Sequence, residues 1–402
     1  MREFKLPVEL LAPTKVNKLA SAKVLFWDRK VFSSSTEILA RFGYAAKSVF
    51  DEGDKGFCSE EKQVYADRYG STSGLAPHGG AGRAAVVDNY YVKGIGPTSL
   101  LGFGVDGLHS NGCVWLEEAM REFLFSELAH RILGKRARKI YAVIDTGVDS
   151  VIEGVKRRRA LVLRGIPLRV SHLQRALMYK PFPMFHLDDV KRVKEARRYA
   201  MVSTRTHDMN EFCHRLAPLF GKTIAQCHSR LFFQGGFTSG NVDVDGAIFD
   251  FGGARFVPTF LETSYESRGQ LFGQELASAY TILASLMNEI GESDEGRYPE
   301  GGADQAMGVM LEAYKVEAKR ALPWLDLREN ETVCQGLTRQ GYEPKPEMSK
   351  LLHGLSREAV QSQLEEIIEA KVNVGQLFVQ LNARLNHKAW LLEKHLVDPG
   401  HA

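Results

Sequence analysis

Gly235 to Phe256 reads GGFTSGNVDVDGAIFDFGGARF, and the reading of this stretch decides the fold. A turn carrying Asn241 leads into apolar–polar alternation, a second turn at Gly246, and a short strand entering Asp250-Phe251-Gly252. Such a pattern predicts a β-hairpin over residues 235–256 whose Asn241 and Asp250 face one metal ion. An asparagine and the aspartate of a DFG triplet hold Mg²⁺ against phosphates in enzymes of the kinase type. Mg²⁺ takes few protein oxygens and leaves its other positions to phosphate and water.

Upstream, Ala84 to Lys93 (AAVVDNYYVK) is β-branched and aromatic enough for a strand or hairpin, and it ends on Lys93. The next strong helix, expected over Val114 to Leu133, carries Glu117, Glu118, Glu122 and Glu127. A strand lysine paired with a helix glutamate positions the lysine on nucleotide phosphates. Period alone leaves the partner open, since Glu118 and Glu122 lie four apart on one face. Glycine-rich pieces at Gly80-Ala81-Gly82-Arg83 and Gly94-Ile95-Gly96 would let backbone amides approach phosphates closely. Arg164 and Arg169 offer guanidinium forks for phosphate oxygens.

Other expected elements are a strand over Val24 to Trp27, a helix from Ser35 to Phe50, and strands at Lys139 to Ile144 and Ala160 to Arg164. From about Asp188 the chain reads as mostly helical, apart from a β-rich piece at Phe232 to Phe256. The order predicts an α+β, protein-kinase-like bilobed fold: a small β-rich N-lobe over 1–170 and a larger helical C-lobe over 171–402, divided where Pro167, Pro181 and Pro183 punctuate the chain.

The chain has 402 residues and a net charge of +3 from 52 basic and 49 acidic side chains. That balance gives no reason to expect nucleic acid or an anionic membrane as the partner. Five scattered cysteines without a CxxC pair argue against a disulfide framework or structural zinc. The N-terminus lacks the apolar core of a signal peptide, and no apolar run reaches ~18 residues, so a cytoplasmic location is expected.

In order along the chain, several motifs resemble the selenoprotein O family of AMP-transferring pseudokinases. GGAGRA resembles that family's LGDGRA, VKGIGPTS is similar to its KGAGxTPxS, and REFLFSELAHRILG follows its REYLxSEAMHxLG. GNVDVDGAIFDFGG corresponds to its TDN…IDYGP segment with identical spacing between asparagine and aspartate. The resemblance spans roughly residues 69–256. It implies Lys93 as the phosphate-binding lysine and Glu122 as its partner. It also implies Gly80, Gly82, Arg83, Asp106 and Gly107 at the nucleotide, Arg164 and Arg169 at the terminal phosphates, and Asn241 and Asp250 at the metal. The implied cofactors are ATP and Mg²⁺ or Mn²⁺, with ATP inverted so that AMP passes to a protein or peptide acceptor.

Two departures stand out. Gly240 replaces the family's proposed base, and Gly236 falls where an ordinary kinase base would lie. Asp243 and Asp245 are the nearby carboxylates. The family's C-terminal cysteine or selenocysteine is replaced by HLVDPGHA. Without a base, an acceptor already ionised at pH 7, such as a carboxylate with a pKa around 4, fits the chemistry. Transfer of the γ-phosphate and an inactive ATP-binding scaffold are the competing readings.

Overall fold

A computed structural model describes residues 6–70, 80–101, 111–176, 185–257, 263–264, 269–293, 302–328 and 331–341, with a few single positions beyond. Within these the chain is α+β, with one large antiparallel sheet and seven helices. It divides into two compact units: residues 1–123 with 139–200, and residues 124–138 with 201–402.

The first unit is built on an eight-stranded sheet: β1 (Leu11–Leu19), β2 (Lys23–Trp27), β3 (Tyr44–Ala45), β4 (Phe57–Asp67), β5 (Ala84–Val87), β6 (Tyr90–Lys93), β7 (Ile140–Ile152) and β8 (Val155–Gly165). Their order across the sheet is β2-β7-β8-β6-β5-β4-β1-β3. Two tight hairpins set the central register. Asp88 and Asn89 both take positive φ between β5 and β6, and Glu153 and Gly154 do so between β7 and β8. Two-residue turns of that kind match the right-handed twist of the strands they join.

Alternation along β6 and β8 gives the sheet two different faces. Val92, Leu161 and Leu163 point into an apolar core with Ala85, Val87, Ala142 and Ile144. Helix α1 (Ser35–Phe42) closes that core with Ile38 and Phe42. Tyr91, Lys93 and Arg164 belong to the opposite face, with Tyr91 paired across from Arg164 and Lys93 across from Val162. Helix α2 (Leu116–Leu133) follows β6 in the chain, and its first two turns belong to this unit.

Several elements depart from expectation. The first helix ends at Phe42 rather than Phe50, because Tyr44 and Ala45 pair with Lys18 and Asn17 as a strand. Strand β7 runs on to Ile152, eight residues past the expected end, because a bulge between Asp145 and Asp149 carries it through Thr146-Gly147. Gly147 sits there at φ +74 with the Ser21 backbone close against it, a place only glycine fills without strain. Strands β1 and β4 are not among the elements expected from the sequence.

Helix α3 (Phe185–Thr204) runs across the division at residue 200. The second unit is mainly helical: α4 (Met209–His228), α5 (Leu271–Ser293), α6 (Gly302–Ala321) and α7 (Val333–Arg339). Asp208 caps α4 by accepting from Glu211 N–H, and Thr332 with Gln335 forms a reciprocal capping box on α7. Phe212, Leu216, Phe220 and Ile224 of α4 are buried, as are Leu283 and Leu286 of α5 and Met310 and Tyr314 of α6. Close approach of α4 to α6 depends on Gly221, where a Cβ would meet the Met310 carbonyl at 2.1 Å. No helix among the described residues is long and apolar enough to cross a membrane.

The expected hairpin over 235–256 is present as a looser device. Its closing arms are two-residue strands, β9 (Phe232–Phe233) and β10 (Arg255–Phe256), paired antiparallel. Between them a single-turn 3₁₀ segment spans Ser239–Asn241 and one bridge joins Val242 to Ile248. Two short strands, β11 (Thr263–Ser264) and β12 (Gly269–Gln270), follow.

Candidate functional site

In the first unit the structure brings Lys93, Glu122 and Arg164 together. Lys93 Nζ donates to Glu122 Oε2 at 2.7 Å, and Arg164 Nη1 donates to Glu122 Oε1 at 3.4 Å. Glu122 is wholly buried, with Lys93 and Arg164 only 3% and 2% exposed. Three charges out of water are tolerated because each carboxylate oxygen meets a cation. The Arg164 guanidinium also lies over the Tyr91 ring at 4.9 Å.

Glu118, one turn earlier on α2, faces the same cations from a more exposed position. Its Oε1 lies 3.3 Å from Arg83 Nη1 and 3.9 Å from Lys93 Nζ. Arg83 ends the glycine-rich turn of Gly80 and Gly82, and its carbonyl accepts from Gly94 and Ile95 N–H. Close packing explains the two glycines: a Cβ at Gly80 would meet the Asp67 carbonyl at 2.3 Å, and one at Gly82 the Leu101 side chain at 2.9 Å. Asp106 and Gly107 lie outside the described residues.

Arg169 belongs to a second buried network. Its Nε donates to Asp67 Oδ2 at 2.9 Å, its Nη2 donates to the Tyr91 hydroxyl, and its guanidinium lies 4.9 Å from the centroids of both Tyr69 and Tyr91. Asp67 Oδ1 lies 2.7 Å from His172 Nε2, while His172 Nδ1 accepts from the Arg169 backbone N–H. That acceptance fixes the tautomer: Nδ1 carries no proton and Nε2–H donates to Asp67. Burial holds His172 below its ordinary pKa, against the pull of Asp67. Burial works to raise the Asp67 carboxyl, but His172 and Arg169 together hold it below the usual carboxylate range.

In the second unit, Asn241 Nδ2 donates to the Gly236 carbonyl at 3.0 Å, leaving Oδ1 as the side-chain atom suited to a cation. Phe249 N–H donates to the Asn241 carbonyl at 3.1 Å, tying the two sides of the loop together. Asp250 sits at φ +62, in the left-handed region that aspartate tolerates better than most residues. Gln234 holds this turn in place: its side-chain amide donates to the carbonyls of Phe249 and Asp250, both at 3.1 Å. Its Oε1 accepts from Gly236 N–H, and its own N–H donates to Glu275 Oε1 on α5. Behind Glu275, His228 joins that carboxylate to the Tyr314 hydroxyl, which also accepts from Val333 N–H. Burial lowers the His228 pKa, and Glu275 opposes it.

Asp243 and Asp245 both face Arg138. Arg138 Nε and Nη2 donate to Asp243 Oδ2 at 3.1 and 2.9 Å, and Nη2 also donates to Asp245. Burial pushes the Asp243 carboxyl up to about 7, with Arg138 opposing and Asp245 adding. A pKa near 7 suits a general base. Both oxygens of Asp243 are nevertheless committed, Oδ2 to Arg138 and Oδ1 to Val244 N–H. The pair therefore anchors residues 243–245 to Arg138.

Sequence reading did not single out Gln234, Glu275, Asp67 or His172. Asp67 and His172 are 105 positions apart, so no local spacing announces them. No protein-family model matches the chain, and no curated protein matches it. Among the described residues no group of three or more His, Cys, Asp or Glu is arranged to hold a metal ion.

Proposed function

We propose that this chain is a kinase-like, ATP- and metal-dependent nucleotidyltransferase that transfers AMP to a protein or peptide acceptor. The observation that carries the reading is the buried contact of 2.7 Å between Lys93 at the end of β6 and Glu122 on the following helix. A lysine on a strand held by a helix glutamate is the device that presents an ammonium to nucleotide phosphates. Burying these charges is expensive, and packed apolar side chains would serve stability as well or better. The expense fits a group kept for an anionic ligand. The motif order from residue 69 to 256 supports a small β-rich N-lobe over 1–170 and a helical C-lobe over 171–402.

Lys93 and Arg164 would hold phosphate oxygens, with Arg83 beside the glycine turn. Asn241 and Asp250 would hold Mg²⁺ or Mn²⁺. The fit rests on their oxygen donors: Asn241 presents Oδ1 once Nδ2 is tied to Gly236, and a two-ligand site suits Mg²⁺. The ion, when bound, neutralises phosphate charge. Gln234 fixes the backbone that carries Asp250. An acceptor oxygen attacks the α-phosphorus, the bond from that phosphorus to the α–β bridging oxygen breaks, and pyrophosphate leaves with the electron pair. Gly236 and Gly240 supply no base, and Asp243 is committed to Arg138. A carboxylate acceptor needs no deprotonation, and the product is then an acyl-adenylate.

Paired incubations with α-labelled and γ-labelled ATP in cell lysate test this reading, with Asp250→Ala as control. Label on a macromolecule from α-labelled ATP alone is expected, and hydroxylamine should release it as AMP while leaving a hydroxamate on the acceptor. Label from the γ-position alone would make the protein a phosphotransferase and defeat the proposal.

A further inference from the structure

Two glutamates one turn apart on α2 treat the same cations differently. Glu122 is saturated, with one oxygen on Lys93 and the other on Arg164, and none of it reaches solvent. Glu118 retains 20% of its side-chain exposure and places a single oxygen, Oε1, against both Arg83 and Lys93. Arg83, with 29% of its side chain exposed, is the outermost cation of the group. An oxygen bearing negative charge and shared by a guanidinium and an ammonium is what a phosphate oxygen would supply at that point.

Resting on the nucleotide-binding reading above, we infer that Glu118 is a built-in competitor for the phosphate: its carboxylate must give up Arg83 and Lys93 before a polyphosphate engages them. Glu122 does not play that part, because releasing it would strand buried charges. Glu118 is able to swing into water at small cost, since a partly exposed carboxylate is readily solvated. The competition sets a threshold that an incoming anion must exceed. A single weak anion does not repay the lost ion pairs, whereas a di- or triphosphate that meets Arg83, Lys93 and Arg164 together does. Glu118 is thus a residue that sets the threshold for anion binding rather than a catalytic one.

The test is calorimetric titration of the full chain and of Glu118→Gln with Mg·ATP and, separately, with inorganic tripolyphosphate and inorganic phosphate. Glutamine keeps the shape and removes the competing charge. The expected result is about fivefold tighter tripolyphosphate and Mg·ATP binding in E118Q, at the upper end of what a partly exposed ion pair contributes. The same substitution should raise affinity for inorganic phosphate by about the same factor, because the same two ion pairs no longer have to be given up. In an Arg83→Met background the gain should shrink, because one of the two contested cations is gone. Should E118Q lose its folding transition, Glu118→Ala supplies the same readouts.

Binding that is unchanged or weaker in the folded variant, with wild-type Mg·ATP binding intact, would overturn the competitor role alone. Failure of wild type and variant alike to bind either polyphosphate would overturn both this inference and the nucleotide reading on which it rests.

Discussion

The two units hold their candidate residues by opposite means. In the first, Lys93, Glu122 and Arg164 are buried charges, and each depends on another side chain for its place. In the second, Asn241 and the turn at Asp250 are held through backbone groups: Gly236 O, Phe249 N–H, and the two carbonyls bound by Gln234. The contrast has a physical consequence. A buried charge deprived of its partner keeps its full desolvation penalty, whereas a loop deprived of one side-chain hydrogen bond relaxes toward water. Structural damage and functional damage should therefore separate: substitutions in the charged cluster unsettle the fold, and substitutions at Asn241 act on metal dependence.

The largest expected effect is at Glu122. Glu122→Ala removes the carboxylate that Lys93 and Arg164 share and should cost about 3–5 kcal/mol in denaturant unfolding. A loss below about 1 kcal/mol would show that the cluster is wetter than its burial implies. Next comes Gln234→Leu, which removes both amide donors and leaves the carbonyls of Phe249 and Asp250 to be satisfied otherwise, for about 2 kcal/mol. Its metal dependence should weaken as well, read from the Mn²⁺ concentration needed for half-maximal ATP binding. Asn241→Ala should cost only about 1 kcal/mol in stability while abolishing that dependence. An Asn241 variant that unfolds as readily as the Glu122 variant would erase the distinction between the two regions.

The smallest effect is the pH response of the first unit. His172 is held below its ordinary pKa, so below about pH 6.5 the unfolded chain binds a proton that the native chain refuses. Stability should fall as pH drops through that range. Asp67, also held low, continues the fall below about pH 4, where its unfolded counterpart protonates first. His172→Gln should flatten the first part of this slope, and an unchanged slope between about pH 6.5 and 5 would remove His172 from the account.

Legibility in the sequence followed how local each feature is. The β5–β6 hairpin was readable because β-branched and aromatic residues flank Asp-Asn, whose positive φ values close the turn. Strand β4 was not, because Phe57 to Gln63 is polar and exposed along most of its length, so no apolar alternation marks it. Strand β7 was expected to end at Ile144, whereas the chain carries it on through Thr146-Gly147 as a bulge. Asn241 and Asp250 lie on one loop, and their spacing alone brought them to notice. Glu122 was chosen over Glu118 through motif resemblance, not through period, and both face Lys93. Arg169 was expected at the terminal phosphates through motif resemblance. In the fold it is enclosed by Asp67, Tyr69 and Tyr91, residues that only tertiary structure supplies.

The account turns on whether the buried ammonium of Lys93 serves a nucleotide. The most direct measurement is calorimetric titration of Mg·ATP into the wild-type chain and into Lys93→Met, with the thermal midpoint of each recorded first. Methionine keeps the apolar stem, and Glu122 retains Arg164 as a partner. The account predicts binding to the wild type and at least about tenfold weaker binding, or ~1.4 kcal/mol, to a Lys93→Met chain that remains folded. Equal affinity in the two folded proteins would contradict it.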